Sequence, residues 1–113
     1  MTAIAVFVSE FKPKPNLINA LSNSILGWVQ KKKCKLLMSP EGMVVEGKST
    51  EGDNVVDAYA IGSTENARKT LRSKNIPQFK NGIIAGVSGV LLNIGKHEDF
   101  DVISILSEAH PNY

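Results

Sequence analysis

The residues whose types and spacing could do chemistry gather in two places. The first is Gly82-Ile-Ile-Ala-Gly-Val-Ser-Gly-Val-Leu-Leu-Asn93, where Gly86, Ser88 and Gly89 form a tight Gly-x-x-Gly turn between a β-branched run and an apolar stretch. Free backbone donors at the start of a helix can hold an anion, so this turn is a candidate ligand site. The simpler account is that its glycines let the turn form and let helix and strand approach closely. It is not a dinucleotide fingerprint, which needs Gly-x-Gly-x-x-Gly and an acidic residue beyond the next strand. It is not a P-loop either, because Gly-Lys-Ser/Thr is missing. Ser88 lacks the Gly-x-Ser-x-Gly frame of a nucleophile elbow, and a serine at a helix start is more often a cap.

The second place is Asp101-Val-Ile-Ser-Ile-Leu-Ser-Glu-Ala-His-Pro-Asn-Tyr113. Glu108 and His110 stand two apart, on one side of any extended backbone. They could bind a metal or act as an acid–base pair, but Pro111 favours a loop and no third ligand is evident. His97 lies in a charged stretch beside Lys96 and Glu98, a solvated setting for a base. No complete catalytic constellation emerges, and no metal or cofactor is expected. Lys31-Lys32-Lys33-Cys34-Lys35 is basic but has no aromatic interleaving for base stacking. The helix dipole at a C-terminal turn accounts for it. Cys34 reads as a small buried hydrophobe opening a strand.

The elements that position these residues alternate along the chain. Ala3–Val8 is a continuous apolar run, read as a strand buried on both faces. Phe11–Pro15 is a proline loop. Asn16 is a candidate N-cap for a helix whose apolar face is Leu17, Ile18, Leu21, Ile25, Trp28 and Val29. Cys34–Met38 is a short strand stopped by Ser39-Pro40. The glycine-punctuated stretch 41–54 is a loop or, at 43–45, an edge strand. Val55–Ile61 is a strand, and Thr64–Lys74 a helix with Ala67 and Leu71 as its stripe. Ile76–Phe79 connects to a strand ending at Gly86. A helix over Ser88–Ile94, a turn over Gly95–Asp99 and a buried final strand complete the order. Such alternation predicts an α/β fold, with helices packed on a largely parallel sheet.

The totals agree with one domain over residues 1–113. Net charge is +2, which gives no electrostatic case for nucleic acid. A single cysteine forbids an internal disulfide and suits a cytoplasmic setting. No apolar run approaches the roughly 18 residues of a membrane helix.

The order and texture of these pieces resemble the proteasome assembly chaperone 2 family. Val6-Phe-Val-Ser-Glu-Phe-Lys-Pro-Lys-Pro15, followed by Leu21 to Val29, is similar to that family's strand, proline loop and long helix. Tyr59-Ala-Ile-Gly-Ser63 resembles its strand leading into the next helix. The Gly82–Asn93 stretch resembles its glycine-rich signature, and Leu106–Tyr113 its leucine-x-glutamate segment ending in tyrosine. The resemblance covers the middle of a typical family member. It implies a three-layer, nucleoside-phosphorylase-like α/β fold, its largely parallel or mixed sheet flanked by helices, and a non-enzymatic chaperone or scaffold that binds 20S proteasome α-subunits and forms homo-oligomers. Gly86, Ser88, Gly89, Glu108 and Tyr113 are the candidate ligand or interface residues. The alternative is a phosphate- or nucleoside-binding protein or enzyme of the same fold.

Overall fold

The computed structural model describes residue 6 and residues 13–43, 58–78 and 86–108. A 3-10 turn over Pro15–Leu17 leads into helix α1, Ile18–Lys31. Strand β1 is Leu37–Met43 and strand β2 is Ala58–Gly62. Helix α2 is Glu65–Ser73, helix α3 is Gly86–Glu98, and strand β3 is Val102–Glu108. The three strands form a mixed sheet in the order β1-β3-β2. β1 runs parallel to β3, with Leu37 opposite Val102 and Met43 opposite Glu108. β2 runs antiparallel to β3, with Ala58 opposite Ser107 and Gly62 opposite Ile103.

β3 is central because its sequence suits burial on both faces. Val102, Ile103, Ser104 and Leu106 are all buried. Successive side chains alternate between faces. Val102 packs with Leu26 of α1 and Leu91 of α3 on one face. Ile103 packs with Ala60, Ala67 and Leu71, two of them on α2, on the other. Helices therefore cover both faces, and the α/β expectation is met.

Several boundaries differ from the sequence reading. β1 runs through Ser39-Pro40 and does not stop there. Among the described strands it is an edge, where a proline nitrogen can face away from the ladder. α3 extends from Gly86 to Glu98, so Gly95 to Glu98 is helix and only Asp99 is a turn. Gly95 is there for contact: a Cβ at this position would lie 2.6 Å from Val102 Cγ2 and 2.9 Å from the Phe100 carbonyl oxygen. Asn16 is inside the 3-10 turn, and α1 has no side-chain cap. The buried side of α1 is Ser22, Leu26 and Val29, while Leu17, Leu21 and Trp28 are exposed. The expected stripe is thus rotated, because α3 supplies the packing partner from one flank.

The α2 boundaries match. Thr64 caps it, its Oγ1 accepting from Ala67 N at 3.0 Å. Glu65 in the first turn accepts from Arg72 and Arg68, and these pairings hold its carboxyl below the ordinary value of 4.5. Of the expected 76–79 connection, residues 76–78 also serve the sheet, since Ala60 N donates to Pro77 O at 2.9 Å; Phe79 lies outside the described residues. The expected strand over 3–8 (Val6 apart), residues 44–57, and the run 82–85 before Gly86 lie outside the described residues.

Candidate functional site

Ser88 occupies the first turn of α3, where that helix lies over β1. Ser39 and Glu41 are two apart on β1 and so share the face beneath it. Ser88 Oγ donates to Glu41 Oε2 at 2.9 Å. The Ser39 and Ser88 hydroxyl oxygens are 2.6 Å apart. A hydroxyl has one proton, and Ser88 spends its own on the carboxylate, so Ser39 is the donor to Ser88. Ser104, opposite Ser39 in the sheet register, donates its hydroxyl to the Ser39 carbonyl at 2.9 Å. The result is a polar chain linking the central strand, the edge strand and the helix start.

Ser88 is only 1% exposed. A carboxylate alone is a weak base toward an alcohol, and no imidazole or amine among the described residues hydrogen-bonds this chain. Among the described residues the arrangement holds a helix to a sheet. Gly86, at φ 77°, takes the left-handed conformation that lets the chain enter α3. Gly89 follows Ser88 in the same turn and is half-buried. Glu108 is the last residue of β3. The structure therefore brings Gly86, Ser88 and Gly89 together. Tyr113 and His110 lie outside the described residues. His97 is exposed in the last turn of α3, the solvated setting expected of it.

A second polar network lies where β3 begins. Asp101 accepts from Thr64 Oγ1 through Oδ1 and from Asn66 Nδ2 through Oδ2, both at 2.5 Å. Next to it, Ser63 Oγ donates to the Phe100 carbonyl at 2.7 Å and accepts from Val102 N at 2.8 Å. One face of this joint opens on a cavity of about 470 Å³ lined by Cys34, Lys35, Asn66, Asp99, Phe100 and Asp101. Both Asp101 oxygens are engaged within the protein, so they tie the α2 start to β3. No group of three or more His, Cys, Asp or Glu among the described residues could hold a metal.

Sequence reasoning singled out Ser88 but missed Ser39, Glu41, Ser104 and Asp101. Ser39-Pro40 read as the end of a strand, which hid the pairing of Ser39 and Glu41 with the helix start. For Asp101 a signal existed: Thr64 and Asn66 flank a helix start and present donors an acid can bridge.

No helix among the described residues is long and apolar enough to cross a membrane. Comparison with the curated proteins finds no match. Solved structures do match in fold. Pyrococcus furiosus PbaA, an archaeal homologue of proteasome-assembly chaperone, superposes in its monoclinic form with a TM-score of 0.79 at 23% identity, covering 92% of this chain and 42% of PbaA. Pyrococcus furiosus PbaB, an archaeal proteasome activator, gives 0.70 at 21% identity, covering 88% of this chain and 44% of PbaB. A PAC2 family protein from Streptomyces avermitilis gives 0.64 at 14% identity, covering 81% and 37%. This chain thus spans less than half the length of each of these structures. The shared fold agrees with a family-model match along residues 1–113, and the chain belongs to the PAC2 family.

Proposed function

We propose that this chain acts as a non-enzymatic proteasome assembly chaperone or activator-like protein, as one cytoplasmic domain over residues 1–113. Its partners in this reading are 20S proteasome α-subunits and further copies of itself. The observation that carries the reading is membership of the PAC2 family along the whole chain, joined to the fold shared with PbaA over 92% of it. The site geometry is compatible: Ser88, the strongest candidate nucleophile, is buried and committed to Ser39 and Glu41. Gly86, Gly89, Glu108 and Tyr113 are the proposed contact residues. Ser88 supports them from beneath the surface.

The phosphate- or nucleoside-binding alternative has less support. The Glu41 carboxylate is hydrogen-bonded in the first turn of α3, where a phosphate would have to sit. Two negative groups at that distance repel.

Size-exclusion chromatography with light scattering tests the reading, with the chain alone and mixed with purified proteasome α-subunits. Co-elution at micromolar concentration is the expected result. A chain that elutes unchanged beside the α-subunits overturns it. Stabilisation by phosphate or a nucleoside in a melting experiment would instead move the assignment to a ligand-binding protein, because a ligand that binds only the folded state raises Tm.

A further inference from the structure

The cavity where β1, α2 and β3 begin holds opposite charges that do not meet. Lys35 and Asp99 both line it, and both are exposed. Among the described residues no ion pair joins them, to each other or to a third group. Asn66 and Asp101 line the same space, and Asn66 Nδ2 donates to Asp101 Oδ2. That bond leaves the Asn66 side-chain oxygen as an acceptor. Cys34 and Phe100 are half-buried and complete the wall with less polar surface.

Three backbone bonds fix the rim. Cys34 N donates to Val29 O at 3.0 Å, Leu37 N to Asp101 O at 3.1 Å and Phe100 N to Gly95 O at 2.8 Å. The points from which Lys35 and Asp99 reach are therefore set by the fold. The volume, about 470 Å³, falls within the roughly 300–1,000 Å³ of small-molecule sites. The lining decides the ligand. An anion such as phosphate would meet the carboxylates of Asp99 and Asp101, and like charges repel. A simple cation would leave Lys35 unanswered. No group of three or more His, Cys, Asp or Glu among the described residues could hold a metal. A molecule carrying an ammonium and a carboxylate a few bonds apart satisfies both sides.

We propose that this cavity binds a small zwitterion with the chemistry of a free α-amino acid. Its ammonium faces Asp99 and the Asn66 side-chain oxygen, and its carboxylate faces Lys35. An apolar side chain lies against Phe100 and Cys34. Hydrogen bonds between charged groups are stronger than neutral ones, so the site rewards a ligand that makes two of them. The proposal stands apart from the proteasome reading, because it needs no partner protein.

Cys34 is the only cysteine in the sequence, so alkylation of its thiol reports on the cavity. The full chain is treated with a thiol-alkylating reagent and the modified fraction is followed by mass spectrometry, with Tm measured in parallel. The probes share one apolar skeleton: leucine, isoamylamine, which lacks the carboxylate, and isocaproate, which lacks the ammonium. Inorganic phosphate is the fourth. Leucine is expected to slow alkylation and raise Tm, and to do so at about tenfold lower concentration than either analogue. Lys35→Gln should reduce leucine to the level of the amine, and Asp99→Asn should reduce it to the level of the carboxylate. Both side chains are exposed, so both variants should keep the Tm of the unliganded chain. Equal effects of leucine and its two analogues, or no effect from any of them, overturn the proposal. So does a leucine effect that survives both substitutions, which would place the ligand elsewhere. Stronger protection by phosphate than by leucine also overturns it, and would make the cavity an anion site.

Discussion

Ser88 shows how a residue type that suggests chemistry can serve architecture. Its oxygen accepts from Ser39 while its proton goes to Glu41, so one hydroxyl joins the start of α3 to two positions of β1. Replacing Ser88 by alanine leaves the Ser39 hydroxyl without its acceptor in a partly buried place. The expected cost is about 1–2 kcal/mol, read as a lower urea midpoint at unchanged slope. Glu41→Gln should cost less, because an amide oxygen still accepts and the residue is exposed. Ser88 was legible as the occupant of a helix start. Its partners were not, because Ser39 and Glu41 reach it only once β1 and α3 are folded together. Pro40 between them argues locally for a strand that ends.

The three described helices leave by the same geometry, and none of these exits uses glycine. Lys33, Asn75 and Asp99 take φ of 57°, 56° and 54°, each just after a helix end. The next residue donates back to the carbonyl five residues earlier: Cys34 to Val29 at 3.0 Å, Ile76 to Leu71 at 3.0 Å and Phe100 to Gly95 at 2.8 Å. These are Schellman exits, in which glycine is the usual left-handed residue. A side chain in that conformation costs about 1–2 kcal/mol, and glycine would return part of that to its own backbone entropy. Lys33→Gly should therefore raise stability by about 0.5–1 kcal/mol, seen as a higher Tm. Asn75→Gly and Asp99→Gly should gain less, since asparagine and aspartate tolerate this region. These exits explain which boundaries the sequence disclosed. α2 was legible at both ends because Thr64 caps it and its stripe is short and regular. α3 was read too short because Gly95 suggested a turn, whereas its missing side chain makes room for Val102. The α1 stripe was recognised as apolar, but periodicity alone does not say which flank a partner helix takes.

At the scale of the whole molecule, the α/β class followed from alternation, and the burial of the last strand followed from its β-branched run. Strand order did not follow, since it depends on contacts between distant segments. β3 touches both β1 and β2, and among the described strands no pairing joins β1 to β2 directly. Ile103→Ala in the middle of that sheet should cost about 2–5 kcal/mol in a denaturant titration, as expected for a buried aliphatic side chain with helix on its face. The same connectivity sets an order in time. The strand that completes the sheet follows every other described element in the chain, and its first partnership spans from Leu37 to Val102. On the ribosome, α1, β1, β2, α2 and α3 emerge before the strand that organises them. Among the described strands, β1 and β2 then lack β3 between them, and a strand without its partner is the kind of surface on which chains aggregate. The sheet of the described strands closes only when synthesis has reached β3, and long-range closure of this sort slows folding. During that interval β1 and β2 wait for the strand that joins them.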